Sequence, residues 1–129
     1  MLVGGVVFSA SPATINIPTG YLVNEADYGD RITRTITIPN GIHVIEVYAV
    51  GNPEDSSTDE QVYMSIYSNN KTWYTDTQDG DVSFYGYIGV TPNKQYTVTL
   101  DIIAVSSSYR LQIKYSPEIN NKAPTVYDY

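Results

Sequence analysis

The sequence has no cysteine, which excludes disulfides, thiolate metal sites and cysteine nucleophiles together. Good helix formers are scarce, with 4 leucines and 6 alanines in 129 residues. Positive charge is also short: 7 lysines and arginines stand against 14 aspartates and glutamates, giving −7 and a pI near 4.3. Those seven (Arg31, Arg34, Lys71, Lys94, Arg110, Lys114, Lys122) are scattered along the chain. Neutralising phosphates takes a clustered basic face, so neither nucleic acid nor an anionic membrane is an expected partner. The apolar start, residues 1–8, is too short to span a bilayer and lacks the charged leader of a secretory signal. The expectation is synthesis in the cytoplasm without a signal peptide, or the mature form of a secreted chain.

Valine, isoleucine, threonine and tyrosine supply 13 residues each. β-Branched and aromatic side chains fit a pleated, half-buried surface, so the composition predicts an all-β chain. Its length suits one domain of about 14 Å radius of gyration. Such a domain buries roughly two-thirds of its unfolded surface, enough for a core without staples.

Turn residues cut the chain into short runs. Strands are predicted over residues 2–8, 31–38, 42–50, 61–67, 71–75, 82–90, 95–103 and 109–115. In the second, Ile32, Ile36 and Ile38 share a face opposite Thr33, Thr35 and Thr37. In the seventh, Tyr96, Val98, Leu100 and Ile102 alternate cleanly. Pro39-Asn40-Gly41, Asn69-Asn70, residues 76–81 and residues 91–94 read as turns, and residues 51–60 as an acidic loop. Evenly spaced short strands predict a single-domain antiparallel β-sandwich, jelly-roll or immunoglobulin-like, with extended terminal arms. The expected layout is an N-terminal strand and arm over 1–19, the sandwich over 20–115 and an extended tail over 116–129.

Catalytic signals are thin. His43 is the single histidine, and no serine stands in a G-x-S-x-G elbow that it could serve. Glu46 and Asp101 are acids inside strands and could form a hydrolytic pair, but outward strand charges that discourage edge pairing are the usual case. The reading is not an enzyme. No cofactor is expected; the one candidate is calcium at Asp76, Asp79 and Asp81, whose spacing departs from D-x-D-x-D-G and lacks a closing glutamate.

Aromatics are the distinctive feature. Tyr63, Tyr67, Trp73, Tyr74, Tyr85 and Tyr87 come from three successive runs, and adjacent strands would gather several on one face. Such a face is core, a subunit interface, or a platform that stacks on sugar rings. The tail holds Pro117, Pro124, Tyr127 and Tyr129 and reads either as an assembly arm that adds to a neighbour's sheet or as a segment packed on its own domain.

Two segments carry a resemblance. Residues 34–50, RTITIPNGIHVIEVYAV, and 87–100, YIGVTPNKQYTVTL, resemble the β-rich modules of bacteriophage tail fibres and other virion appendages. The long glycine-rich loops of that family are replaced here by GNPEDSSTDE and DTQDGD. The resemblance implies a structural component of a virion, in a capsid, tail or fibre. Its partners would be itself, other virion proteins and a host-surface glycan. Residues 90–98 also resemble the E–F corner of fibronectin type III domains, where a tyrosine hydroxyl ties back to the preceding turn; this implies the same tie for Tyr96. The alternative reading is a carbohydrate-binding module that stacks sugars on Trp73 with Tyr74, Tyr85 or Tyr87.

Overall fold

A computed structural model describes residues 16–53, 61–104 and 106–129. The predicted strand at 2–8 and residues 54–60 of the predicted acidic loop lie outside them; residues 51–53 of that loop are instead the end of a strand, Val44–Pro53. Among the described residues eight strands build two facing sheets: β1 (Gly20–Tyr28), β2 (Arg31–Thr37), β3 (Val44–Pro53), β4 (Gln61–Ser68), β5 (Thr72–Asp79), β6 (Val82–Gly89), β7 (Gln95–Ile103) and β8 (Ser107–Tyr115). A short ninth, β9 (Val126–Tyr127), follows a 3-10 turn at Ile119–Asn121.

The strand orders are β1-β8-β3-β6-β9 and β2-β7-β4-β5. First pairs with eighth, second with seventh, third with sixth and fourth with fifth, all antiparallel. One long hairpin rolled on itself gives that pairing, and β3–β8 and β4–β7 are the seams where the roll closes. Of the two expected architectures this is the jelly roll. An immunoglobulin sandwich divides its strands differently between the sheets.

The alternation read from sequence places the core. Tyr96, Val98, Leu100 and Ile102 of β7 are buried, facing Ile45, Val47, Ala49, Leu111 and Ile113 of the other sheet. Each fully buried aliphatic side chain contributes about 1.5–3 kcal/mol relative to exposure. Turns are present at the predicted places, although residues 76–79 belong to β5 and only the end of that stretch turns: Gly41 and Gly80 take positive φ at 82° and 86°, and Asn93 takes 63°. The Tyr96 tie is present too, with Thr91 N donating to Tyr96 Oη at 3.0 Å.

Each open edge of the sandwich is closed by a polar contact between the sheets. At one, Arg34 of β2 makes a two-pronged pair with Glu25 of β1, at 2.6 and 2.7 Å. At the other stands the tail. Of its two readings, an arm for a neighbour or a segment packed on its own domain, the structure shows the second. β9 pairs parallel with β6, and Asp128, fully buried, accepts from Trp73 Nε1 on β5 and Ser68 Oγ at the end of β4, both at 2.5 Å. Asp128 N donates to Gly89 O at 2.8 Å, and Tyr96 Oη donates to Asp128 O at 3.2 Å.

Candidate functional site

Facing sheets consume their inner surfaces in the core, which leaves outer faces, edges and loops for binding. The register of the five-stranded sheet fixes what its outer face shows. One row across the strands holds Tyr21, Lys114, Glu46 and Tyr87. The next holds Asn24, Gln112, Tyr48 and Tyr85; the third, Ala26, Arg110, Val50 and Ser83; the fourth, Tyr28, Ser108 and Asn52. Between the Tyr48 row and the Tyr28 row thus stand the smaller side chains of Ala26, Val50 and Ser83 with Arg110 among them. The consequence is an open cleft of about 630 Å³, lined among others by Tyr28, Tyr48, Val50, Asn52, Asp81 and Arg110.

The rows are stiffened by contacts within them. Gln112 Nε2 donates to Asn24 Oδ1 at 3.0 Å, and the Lys114 ammonium lies 5.7 Å from the centre of the Tyr21 ring. The Tyr85 hydroxyl donates to Glu46 Oε2 at 2.6 Å, and that carboxylate holds the phenol well above the ordinary tyrosine range. Tyr85 packs against Tyr48 at 6.3 Å and edge-on to Tyr87 at 6.0 Å between ring centres. Tyr85 is 59% and Tyr28 76% exposed, so both rings are open to a partner.

The six aromatics singled out in the sequence do not form one surface. Tyr85 and Tyr87 lie on this face. Tyr63 and Tyr67 lie on the opposite side of the molecule, on the outer face of the four-stranded sheet. There Tyr63 Oη accepts from Thr75 Oγ1 at 2.8 Å and the Tyr67 hydroxyl donates to Asp101 Oδ2 at 2.6 Å. Trp73 is 3% exposed and donates to buried Asp128. A sugar platform built on Trp73 is therefore corrected: the indole is core, and the register shift between Ile66 and Tyr67 of β4 falls opposite it. Tyr74 stacks on Phe84 of β6, with ring centres 4.6 Å apart.

Of the two readings of the tail residues, the structure shows the segment packed on its own domain. The Tyr127 ring covers Gly89, Lys71 Nζ donates to Tyr127 O at 2.6 Å, and the rings of Tyr127 and Tyr129 meet edge-on at 5.6 Å. Pro124 packs over the same glycine, while Pro117 is exposed beside the 3-10 turn. An arm committed to its own sheet edge is not available to a neighbour in this conformation.

Of the calcium candidates, Asp76 lies inside β5 and not in a turn. It accepts from Gln78 Nε2, Tyr74 Oη and Thr77 N, which hold its carboxyl below the usual range. Asp79 ends β5 and Asp81 follows Gly80. Among the described residues no three or more histidine, cysteine, aspartate or glutamate side chains gather as metal ligands. Glu46 and Asp101 face outward on opposite sheets, so they cannot act on one bond. Asp101 is bound by the Arg31 guanidinium, which lowers its pKa. His43 is exposed; its backbone N–H donates to Asn120 Oδ1 at 2.7 Å.

Tyr48, Tyr28, Asn52 and Arg110 were not singled out by sequence reading. The available signal was the odd-even split of residues 44–52, which sends Glu46, Tyr48, Val50 and Asn52 outward together. No family model matches the chain, and no curated protein matches its sequence.

Proposed function

We propose that this chain is a surface-contact module of a bacteriophage particle, a jelly roll that works by self-association and by touching particle or host surfaces. The observation that carries the reading is the outer face of the five-stranded sheet, with Tyr21, Tyr28, Tyr48, Tyr85 and Tyr87 in ordered rows. Tyrosine offers large contact area and a polar tip at low entropic cost, and it is enriched at the anchors of interfaces. The two segments that resemble virion appendages support it from the sequence side. Residues 34–50 run from β2 through a turn into β3, and residues 87–100 run from β6 through a turn into β7. A net charge of −7 favours protein and neutral polar surfaces over phosphate.

The test is solution mass by light scattering behind a sizing column at two protein concentrations. A defined oligomer, or ordered growth into larger particles, is the expected result. A 14.3 kDa monomer at both concentrations overturns self-association.

A further inference from the structure

We infer that the cleft across the outer face of the five-stranded sheet is a carbohydrate site, with Tyr48 and Tyr28 as its two aromatic walls and Arg110, Asn52 and Asp81 as its polar contacts. The inference rests on the surface-contact reading above and names the class of surface.

Geometry sets the size. Tyr48 and Asn52 are four residues apart on β3, and at about 3.3 Å per residue their rows stand roughly 13 Å apart. Between them the floor is Ala26, Arg110 and Val50, with Ser83 continuing the row. Among the described residues the resulting trough runs across the strands. Its volume of about 630 Å³ falls within the range of small-ligand sites.

Chemistry sets the ligand. A pyranose presents an apolar C–H face, which a tyrosine ring covers, and an equatorial belt of hydroxyls. The guanidinium of Arg110 and the carboxylate of Asp81 are forked groups that donate to, and accept from, neighbouring hydroxyls in pairs. The Asn52 amide does both. Among the described residues Arg110 has no ion-pair partner, and its side chain lines the trough. Within this face the trough suits a protein partner less than the Tyr85 and Tyr87 rings beside it: interface centres are depleted of charge, whereas the trough holds Arg110 and Asp81. A polyanion fits less well again, because the one arginine shares the trough with Asp81.

The experiment is binding of the whole chain to a printed panel of neutral and uronate-containing oligosaccharides, with each hit titrated as the free oligosaccharide by calorimetry. Tyr48→Ala and Arg110→Ala are each expected to weaken a hit at least tenfold. Tyr63→Ala, on the opposite sheet, should leave it unchanged. Arg110 is exposed, so its variant keeps the fold should Tyr48→Ala lose it, and thermal melts check both. No binding to any panel member overturns the site, as does equal binding by wild type and Arg110→Ala. Loss of an oligomer in Arg110→Glu, with no sugar bound by wild type, makes the trough a protein interface and also overturns it. A monomer that binds sugar contradicts self-association alone, so the two readings fail separately.

Discussion

Replacing Asp128 by alanine probes the contact that joins β9 to the far sheet. Asp128 is fully buried, and its Oδ2 accepts from both Trp73 Nε1 and Ser68 Oγ at 2.5 Å. A hydrogen bond to a charged group contributes about 1.5–3 kcal/mol net, and a buried N–H left without a partner costs about 1–3 kcal/mol. Water entering the vacated space recovers part of that, so the expected loss is about 3–4 kcal/mol. For a domain of this size each kcal/mol moves the melting midpoint by about 3–5 °C, which places the shift at roughly 10–20 °C. Asp128→Asn keeps an oxygen in position, and Oδ1, where the new amide can go, has no partner to lose. That variant should fall by less than half as much. Trp73 is the only tryptophan, so its emission reports the same event: red-shifted in the alanine variant below its midpoint, unshifted in the asparagine variant. An alanine variant that melts within about 1 °C of wild type, with unshifted emission, refutes the role given to this carboxylate.

Stability should fall in acid. Arg31 and Arg34 hold Asp101 and Glu25 below their ordinary values, while both titrate near pH 4 in the unfolded chain. Between the depressed and ordinary values the unfolded chain binds more protons, so stability is complete above about pH 5 and declines as pH drops through that window. Asp101→Asn should flatten part of the decline; an identical acid profile by chemical denaturation contradicts the assignment. Glu46→Gln should bring Tyr85 ionisation down toward the ordinary tyrosine range, read by ultraviolet absorbance titration against Tyr85→Phe. An unchanged curve means the 2.6 Å contact does not persist in solution. At Gly86 an added Cβ would stand 2.6 Å from the Phe84 ring, so Gly86→Ala should cost about 1–3 kcal/mol through displaced packing. A neutral result in denaturant melts shows that the ring yields freely.

The fold was legible where side-chain alternation is clean. β7 reads as a strand because Tyr96, Val98, Leu100 and Ile102 repeat every second residue, and all four are buried. β1 was missed because its inward positions after Val23 are Glu25 and Asp27, which break the apolar repeat. Glu25 is tolerated there because it meets Arg34 at the sandwich edge. β9 was missed for a related reason: two residues have no period, and what fixes them is the distant pair Ser68 and Trp73. The aromatic surface was half legible. Tyr85 and Tyr87 were found, but which strands share a sheet depends on the rolled topology, and that separated them from Tyr63 and Tyr67. It also brought Tyr48 and Arg110, 62 residues apart in sequence, into one trough.

The most direct test of the outer face as the working surface is amide chemical-shift mapping of the isotope-labelled chain during titration with the strongest oligosaccharide from the panel. The account predicts shifts confined to the rows of Tyr28, Tyr48, Asn52 and Arg110 and to Asp81 at their margin. Shifts centred on Tyr63 and Tyr67 of the opposite sheet, or none at saturating sugar, contradict it.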